Sequence, residues 1–134
     1  MRHMPSLFSR IINKDLPAHI VAEREYYMAF LDIHPLTLGH TLVVPKREVD
    51  NLFDLDDTTL AGLILFTKHV AKGIQKVVPC LRVGMAVVGL EVPHAHVHLV
   101  PLNGPYDIDF RKPKLQPSQE AFRTMAAQLH NAIS

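Results

Sequence analysis

The chain has 134 residues, 48% hydrophobic and 20% charged, which is typical of a globular protein able to bury its core in a single domain over residues 1–134. Its formal net charge of +1 argues against the basic face of a nucleic-acid-binding protein, and no apolar run approaches the roughly 20 residues of a membrane span. Cys80 is the only cysteine, and residues 1–6 lack the apolar stretch of a secretion signal. We therefore expect a cytoplasmic protein that binds neither nucleic acid nor membrane.

The N-terminal half alternates between turn residues and short apolar stretches. Ser6 is a candidate N-cap for a short helix that ends near Asn13, and a turn over 14–17 follows it. Strands are then predicted over residues 19–23, 26–31 and 40–45.

A long helix is the clearest element of the C-terminal half. Asp56 is its candidate N-cap, and apolar residues follow at helical spacing up to Pro79. Strands are predicted over 81–88 and 94–100, and Ser118 caps a final helix that ends near residue 132. Because most strands have short connections, we expect an α+β domain. Its antiparallel sheet has about five strands, with the long helix packed on one face and short helices at the termini.

Three histidines alternate with apolar residues in the last predicted strand. Residues 94–101 have the sequence HAHVHLVP, so His94, His96 and His98 share one face while the residues between them face the core. Imidazole can act near neutral pH as nucleophile, acid, base or metal ligand. A single histidine in a strand is usually a partly buried polar residue, but three in strict alternation indicate a functional site.

Two chemistries suit this row of histidines, and the spacing alone does not decide between them. The three imidazoles are able to supply the ligands of an open catalytic zinc site. Alternatively, one imidazole is a nucleophile that forms a covalent intermediate and is tuned by its neighbours. Metal sites usually recruit further ligands, and the candidate carboxylate, Glu91, precedes the row.

The row resembles the signature of the histidine-triad (HIT) superfamily of nucleotidyl hydrolases and transferases. Further matches follow the family's order over residues 6–102, with LFSRIINKDLPA at 7–18, AFLDIHP at 29–35 and GHTLVVPK at 39–46. They are most similar to the HINT-like branch of small bacterial proteins. The resemblance implies a HIT-like fold and a hydrolase or transferase that needs no cofactor. Its reaction is cleavage at the α-phosphorus of nucleoside phosphoramidates or dinucleoside polyphosphates.

The resemblance also implies catalytic roles for four histidines. His96 attacks the α-phosphorus and forms a nucleotidyl-histidine, from which water releases the mononucleotide. His98 and His40 hold its ring and the phosphate oxygens, and His94 passes a proton to the leaving group. Cationic imidazoles and backbone N–H groups then stabilise the charge without a metal. We expect a backbone carbonyl near His94 to fix the tautomer of His96, leaving its other nitrogen free to attack.

A nucleotide pocket is implied by the same matches. Asp32 would accept hydrogen bonds from the ribose hydroxyls. Six apolar residues would enclose the base: Leu7, Phe8, Ile11, Leu16, Phe30 and Ile33. The nucleotide-binding set also includes three residues just before the row: Gly89, Glu91 and Val92. Taken singly, apolar residues such as these six more often form a plain core, and an aspartate before a turn is often only a cap.

The chain departs from the family pattern in two places. Many relatives hold a structural zinc with two cysteines, a later histidine and the first histidine of the triad, whereas this chain has Ser6, Ser9 and Glu48 at the first three positions. Because a serine hydroxyl is a poor zinc ligand beside a thiolate, we expect no zinc there. Before the row, Gly89 is kept, but the asparagine and glutamine that contact the phosphates in relatives are lost, and Glu91 replaces a hydroxyl.

Two other functions stay open, a metal-dependent hydrolase and a nucleotide-binding module with little turnover. The expected partners are a purine nucleotide and a second copy of the chain. Relatives form two-fold dimers, and the long helix is apolar on much of its circumference. The alternative is that the tail helix, around Phe122 and Met125, covers that second side within one chain.

Overall fold

The computed structural model describes residues 4–133, so residues 1–3, on which the expected absence of a secretion signal partly rests, lie outside it. Five strands form one antiparallel sheet in the order β1-β2-β3-β5-β4. They are β1 Ile20–Glu23, β2 Tyr27–Leu31, β3 Thr41–Pro45, β4 Arg82–Ala86 and β5 Val97–Leu102. The helices are α1 Leu7–Ile12, α2 Asp57–Val77 and α3 Gln119–Ile133, with a short 3-10 helix, Leu52–Asp54, before α2. The predicted α+β class with five antiparallel strands is confirmed.

Hydroxyl and carboxylate caps fix where the three α-helices begin. Ser6 accepts a hydrogen bond from Ser9 N, and Asp56 accepts one from Thr59 N. The Ser118 hydroxyl accepts one from the third residue of α3 at 3.1 Å. These bonds satisfy N–H groups that have no partner within the first turn of a helix. The predicted caps of α1, α2 and α3 are therefore confirmed.

The predicted strand over 94–100 begins too early. β5 starts at Val97, because the backbone N–H groups just before it bond outside the sheet, His94 N to Val92 O at 2.8 Å and Ala95 N to Val49 O at 2.7 Å. Similarly, β4 ends at Ala86 rather than at residue 88. The first two histidines of the row therefore lie on the segment that leads into the sheet, with His94 in a bend.

Both faces of the sheet are covered. One face packs against α2 and α3 through a large core, which includes Val43, Val97, Leu63, Val70 and Leu129. The other face packs against α1 in a smaller cluster of Phe8, Ile11, Met28, Phe30, Leu42 and Val44. In β2 and β3, neighbouring residues enter opposite clusters, as the two-residue period of a strand requires.

The tail helix covers only part of α2. A Cβ atom at Gly73 would collide with the Ile133 side chain, so α3 lies directly against the C-terminal half of α2. Towards the N-terminal end, Ile64 and Leu65 stay 40% and 61% exposed. Among residues 4–133, no helix is long and apolar enough to cross a membrane.

Candidate active site

The three histidines lie together on the face of the sheet opposite the large core. Ala95, Val97 and Leu99 enter that core, as the alternation predicts. The histidine side chains are buried on the other side, and the rings of His96 and His98 are 5.0 Å apart. The row therefore belongs to the face that carries α1.

His96 has one nitrogen fixed as a donor. Its Nδ1 lies 2.7 Å from the backbone oxygen of His94, and a carbonyl only accepts, so Nδ1 carries the hydrogen. In the neutral ring, the lone pair is then on Nε2, which is the nitrogen that can attack an electrophile. The carbonyl expected near His94 is thus that of His94 itself. Phe8 packs edge-on against the His96 ring, with 5.0 Å between centroids, and holds it from one side.

His40 and His98 form a hydrogen-bonded relay with a defined direction. The Leu36 N–H group donates to His40 Nδ1 at 3.0 Å, so in the neutral His40 ring the hydrogen is on Nε2. His40 Nε2 donates to His98 Nδ1 at 3.0 Å, which leaves the hydrogen of His98 on its own Nε2. This second Nε2–H group can donate a hydrogen bond to an anion.

The relay is electrically neutral near physiological pH. Burial lowers the pKa of His40 to about 3 and that of His98 to about 4, with smaller contributions from neighbouring imidazoles and from Lys114. Burial likewise lowers the pKa of His94. These buried positions disfavour the charged form of all three rings, which argues against the expected cationic imidazoles at His40, His94 and His98.

His94 is not placed to protonate a leaving group. Its side chain is fully buried, its Nε2 donates to Pro45 O at 2.8 Å, and its Nδ1 accepts from the Ser6 hydroxyl at 2.8 Å. Because both ring nitrogens are engaged inside the protein, this geometry argues against proton transfer by His94. It is a positioning residue, whose backbone oxygen orients His96.

The serines and the glutamate at the family's zinc positions converge on His94 as a hydrogen-bonded cluster. The Ser9 hydroxyl donates to Glu48 Oε1 at 2.7 Å and lies 3.3 Å from His94 Nδ1, while Ser6 N donates to Glu48 Oε1 at 2.5 Å. A structural zinc takes thiolate and imidazole ligands at about 2.0–2.3 Å from the ion. Here the thiolate positions hold the Ser6 and Ser9 hydroxyls, which make hydrogen bonds to His94 and Glu48. These residues therefore do not fit a zinc ion. The cluster instead ties the start of α1 to the segment that leads into β5.

A second group of possible metal ligands lies beside the relay. Single ligand atoms of Asp32, His40 and His98 lie within 4.8 Å of one another. However, His40 Nε2 carries a hydrogen and has no lone pair while Leu36 N donates to Nδ1. Metal binding by this group requires that bond to break, which argues against the alternative of a metal-dependent hydrolase.

The structure brings together most of the predicted base pocket. Phe8, Ile11 and Phe30 are buried in the smaller cluster, with Leu16 and Val92 packed against it. Two members of the base pocket and two of the three residues predicted just before the row lie outside this cluster. Leu7 is 48% and Ile33 55% exposed, and Gly89 and Glu91 are in the loop between β4 and β5.

Asp32 lies at the end of β2, next to the relay. Its Oδ1 accepts from His34 N at 2.8 Å, which is the predicted turn cap. Its Oδ2 lies 3.6 Å from His40 Nε2, so the carboxylate also faces the row. Burial raises the pKa of Asp32. One carboxylate therefore caps a turn and faces the relay.

Sequence reasoning missed two residues of the site. After β5 the chain folds back, and the Phe110 ring lies 4.7 Å from His98 and 6.3 Å from His40. Lys114 is near enough to lower the pKa values of both histidines. No element and no site residue are predicted from the sequence for this stretch, which lies between the last predicted strand and the final helix. Its one signal is an aromatic residue followed by three cations within four positions, FRKPK at 110–114.

Comparison with known proteins agrees with this site. The family model for the HIT domain matches residues 13–104. The chain belongs to the HIT family. It is 32% identical to an uncharacterized HIT-like protein of Borreliella burgdorferi over 92% of this chain and 94% of that protein. It is also 29% identical to the Schizosaccharomyces pombe protein named adenosine 5'-monophosphoramidase hnt1, over 97% of this chain and 99% of that one.

A solved HIT-family structure has the same fold. It is the zinc-bound histidine triad family protein of Mycobacterium smegmatis, with a TM-score of 0.80, 27% identity, and coverage of 95% of this chain and 91% of that one. The fold and the family resemblance are therefore confirmed. Together, the family and the yeast relative support a nucleotide hydrolase of the HIT type.

Proposed function

We propose that this HIT protein hydrolyses purine nucleoside phosphoramidates or dinucleoside polyphosphates at the α-phosphorus, through a nucleotidyl intermediate on His96. The observation that carries the proposal is the tautomer of His96. A bond of 2.7 Å from Nδ1 to a carbonyl oxygen keeps the Nε2 lone pair available on a ring that is otherwise buried.

The reaction has two displacements at phosphorus. His96 Nε2 forms a bond to the α-phosphorus, and the leaving group departs with the electron pair of its own bond and takes a proton from solvent. Water then attacks the same phosphorus and releases one proton to solvent, the bond between phosphorus and His96 Nε2 breaks, and its electron pair returns to Nε2 as the mononucleotide leaves. The His98 Nε2–H group donates to a phosphate oxygen throughout, which is the fixed electrostatic support such transfers need.

The surroundings of the row supply the nucleotide's other contacts. The base would lie against the Phe8 and Phe30 rings, which pack edge-on with 5.4 Å between centroids. The Asp32 carboxylate, beside His40, would accept hydrogen bonds from the ribose hydroxyls. Both contacts lie on the side of the sheet that carries His96, so base, ribose and phosphate would follow one surface.

A turnover assay tests the proposal. Adenosine 5'-phosphoramidate and a diadenosine polyphosphate are incubated with the chain, and AMP release is measured. His96→Asn should lose at least about three orders of magnitude in rate, as loss of a covalent nucleophile does. His69→Asn, at an exposed histidine on α2, is the matched control and should keep the full rate. Near wild-type turnover by His96→Asn contradicts the mechanism.

A second candidate function is nucleotide binding with little turnover. The observation that favours it lies in the exposed loop before the row, where the family's amide side chains are lost and Glu91 adds a negative charge near the phosphates. Tight AMP binding by wild-type protein that releases no product from either substrate would support this candidate over the hydrolase.

We also infer a two-fold homodimer. The N-terminal part of α2 carries a shallow groove lined by Asp57, Leu60, Ala61, Ile64 and Leu65. β4 is an edge strand, and its Met85 side chain is 56% exposed. A second copy would cover both apolar surfaces. A cytoplasmic location is also our proposal, supported by a lone cysteine, since disulfides are rare in reducing compartments.

A further inference from the structure

The buried histidines supply no positive charge to balance a bound phosphate. His40 and His98 are neutral near physiological pH, and Asp32, at the same edge of the row, is acidic. A nucleotide brings at least one further negative charge onto its α-phosphate. Placing two anions near each other in a partly buried site costs free energy unless a cation lies close by. The row itself does not supply that cation.

The chain between β5 and α3 brings a cation to this place. We call residues 103–117 the tail segment. Phe110 lies against the His98 ring, and Leu115 N donates to Pro35 O at 2.9 Å, which ties the segment to the loop after β2. The tail segment is thus fixed at two points on either side of Lys114, one against the relay and one beside the turn that contains Asp32.

The Lys114 ammonium is held in position by backbone carbonyls of the tail segment. Nζ donates to Phe110 O at 2.6 Å and to Lys112 O at 3.3 Å, and lies 5.9 Å from the centre of the Phe110 ring. An ammonium group has three N–H donors, so two are taken by these carbonyls and one is left for an anion. The Lys114 side chain is therefore already ordered and loses little conformational entropy when a ligand binds.

We propose that Lys114 binds the phosphate oxygens of the nucleotide and makes the site selective for nucleotides over nucleosides. This inference rests on the proposed function, because it assumes that the phosphate lies against His96 and His98. Lys114 is the positive charge that takes the place of the family's phosphate-contacting amides and of the cationic imidazoles expected at the row. Phe110 fixes the segment that carries it, and Asp32 and the phosphate share its charge.

The test compares two ligands that differ only in the phosphate. Binding of AMP and of adenosine to the full chain is measured by isothermal titration calorimetry. Lys114→Gln should weaken AMP binding roughly tenfold, the usual effect of losing a hydrogen bond from a charged donor, and leave adenosine binding unchanged. Lys114→Arg should restore most of the AMP affinity, because it keeps the charge.

Lys112→Gln is the matched control in the same segment. Its ammonium lies 3.6 Å from Asp107 Oδ1, so its loss should leave AMP binding unaltered. Equal weakening of AMP and adenosine by Lys114→Gln would show a structural role, and no weakening of AMP would show no role; either result overturns the proposal. If the wild-type protein binds AMP but turns over neither substrate, only the proposed hydrolase function is contradicted. If it binds neither AMP nor adenosine, both the hydrolase function and the role of Lys114 are contradicted.

Discussion

The Ser6 hydroxyl makes two hydrogen bonds that Ser6→Ala removes together. It accepts from Ser9 N at 3.0 Å, which caps α1, and it donates to His94 Nδ1 at 2.8 Å. The Ser6 side chain and the His94 ring are both buried, so water does not readily replace either bond. The variant therefore loses a helix cap and leaves a buried imidazole nitrogen without its main donor.

The two losses give the expected size of the effect. A lost cap costs about 1 kcal/mol, and a buried acceptor left without a donor costs about 1–3 kcal/mol, so unfolding should become easier by about 2–4 kcal/mol. The Ser9 hydroxyl, 3.3 Å from His94 Nδ1, recovers part of this only by giving up its bond to Glu48. The rate of nucleotide turnover should fall as well, because the His94 backbone orients His96.

Ser118→Ala is the matched control. That hydroxyl caps α3 at 3.1 Å but is exposed and bonds no histidine, so its loss should cost only about 1 kcal/mol and leave turnover unchanged. Urea unfolding followed by circular dichroism measures both free energies. If Ser6→Ala costs no more than Ser118→Ala, the hydrogen bond to His94 contributes nothing, and our account of the cluster is refuted.

Three further predictions concern pH, metal and assembly. The pKa values of His40 and His98 lie below those of the same residues in the unfolded chain, so the unfolded state binds more protons as the pH falls. The free energy of unfolding should therefore decrease from pH 6.5 to about 4, by up to about 1.4 kcal/mol per pH unit for each ring. A flat urea midpoint from pH 7 to 5 would refute this. Turnover should survive exhaustive chelation, with well under one zinc per chain, and a tightly bound zinc whose removal abolishes turnover would restore the metal hypothesis. Sedimentation should show a dimer that Leu65→Lys dissociates, whereas a fully active wild-type monomer would show that α3 covers enough of α2.

Local patterns were sufficient to predict the main elements of the fold. The caps at Ser6 and Asp56 are side-chain bonds that span three residues, and the length of α2 follows from its apolar spacing. The ends of β5 depend on distant partners instead. Ala95 N bonds to Val49 O, and no pattern within residues 94–100 reveals that bond.

The role of each histidine depended on contacts that are distant in sequence. Alternation predicted that His94, His96 and His98 share a face, but not that His94 is closed in by Pro45 and Ser6. Nor did it reveal that burial would make the relay neutral. The contribution of the tail segment was also hidden, because its position depends on packing against His98 and on a single backbone bond to the loop after β2.

The nucleotidyl intermediate on His96 is the central claim, and intact mass spectrometry tests it most directly. The chain is mixed with adenosine 5'-phosphoramidate or a diadenosine polyphosphate and quenched within the first turnover without acid, because a P–N bond to imidazole is acid-labile. Our account predicts a species heavier by one adenylyl group, with the modification on His96, and no such species from His96→Asn. Turnover with no adduct at any time point, or an adduct of the same yield in His96→Asn, would contradict it.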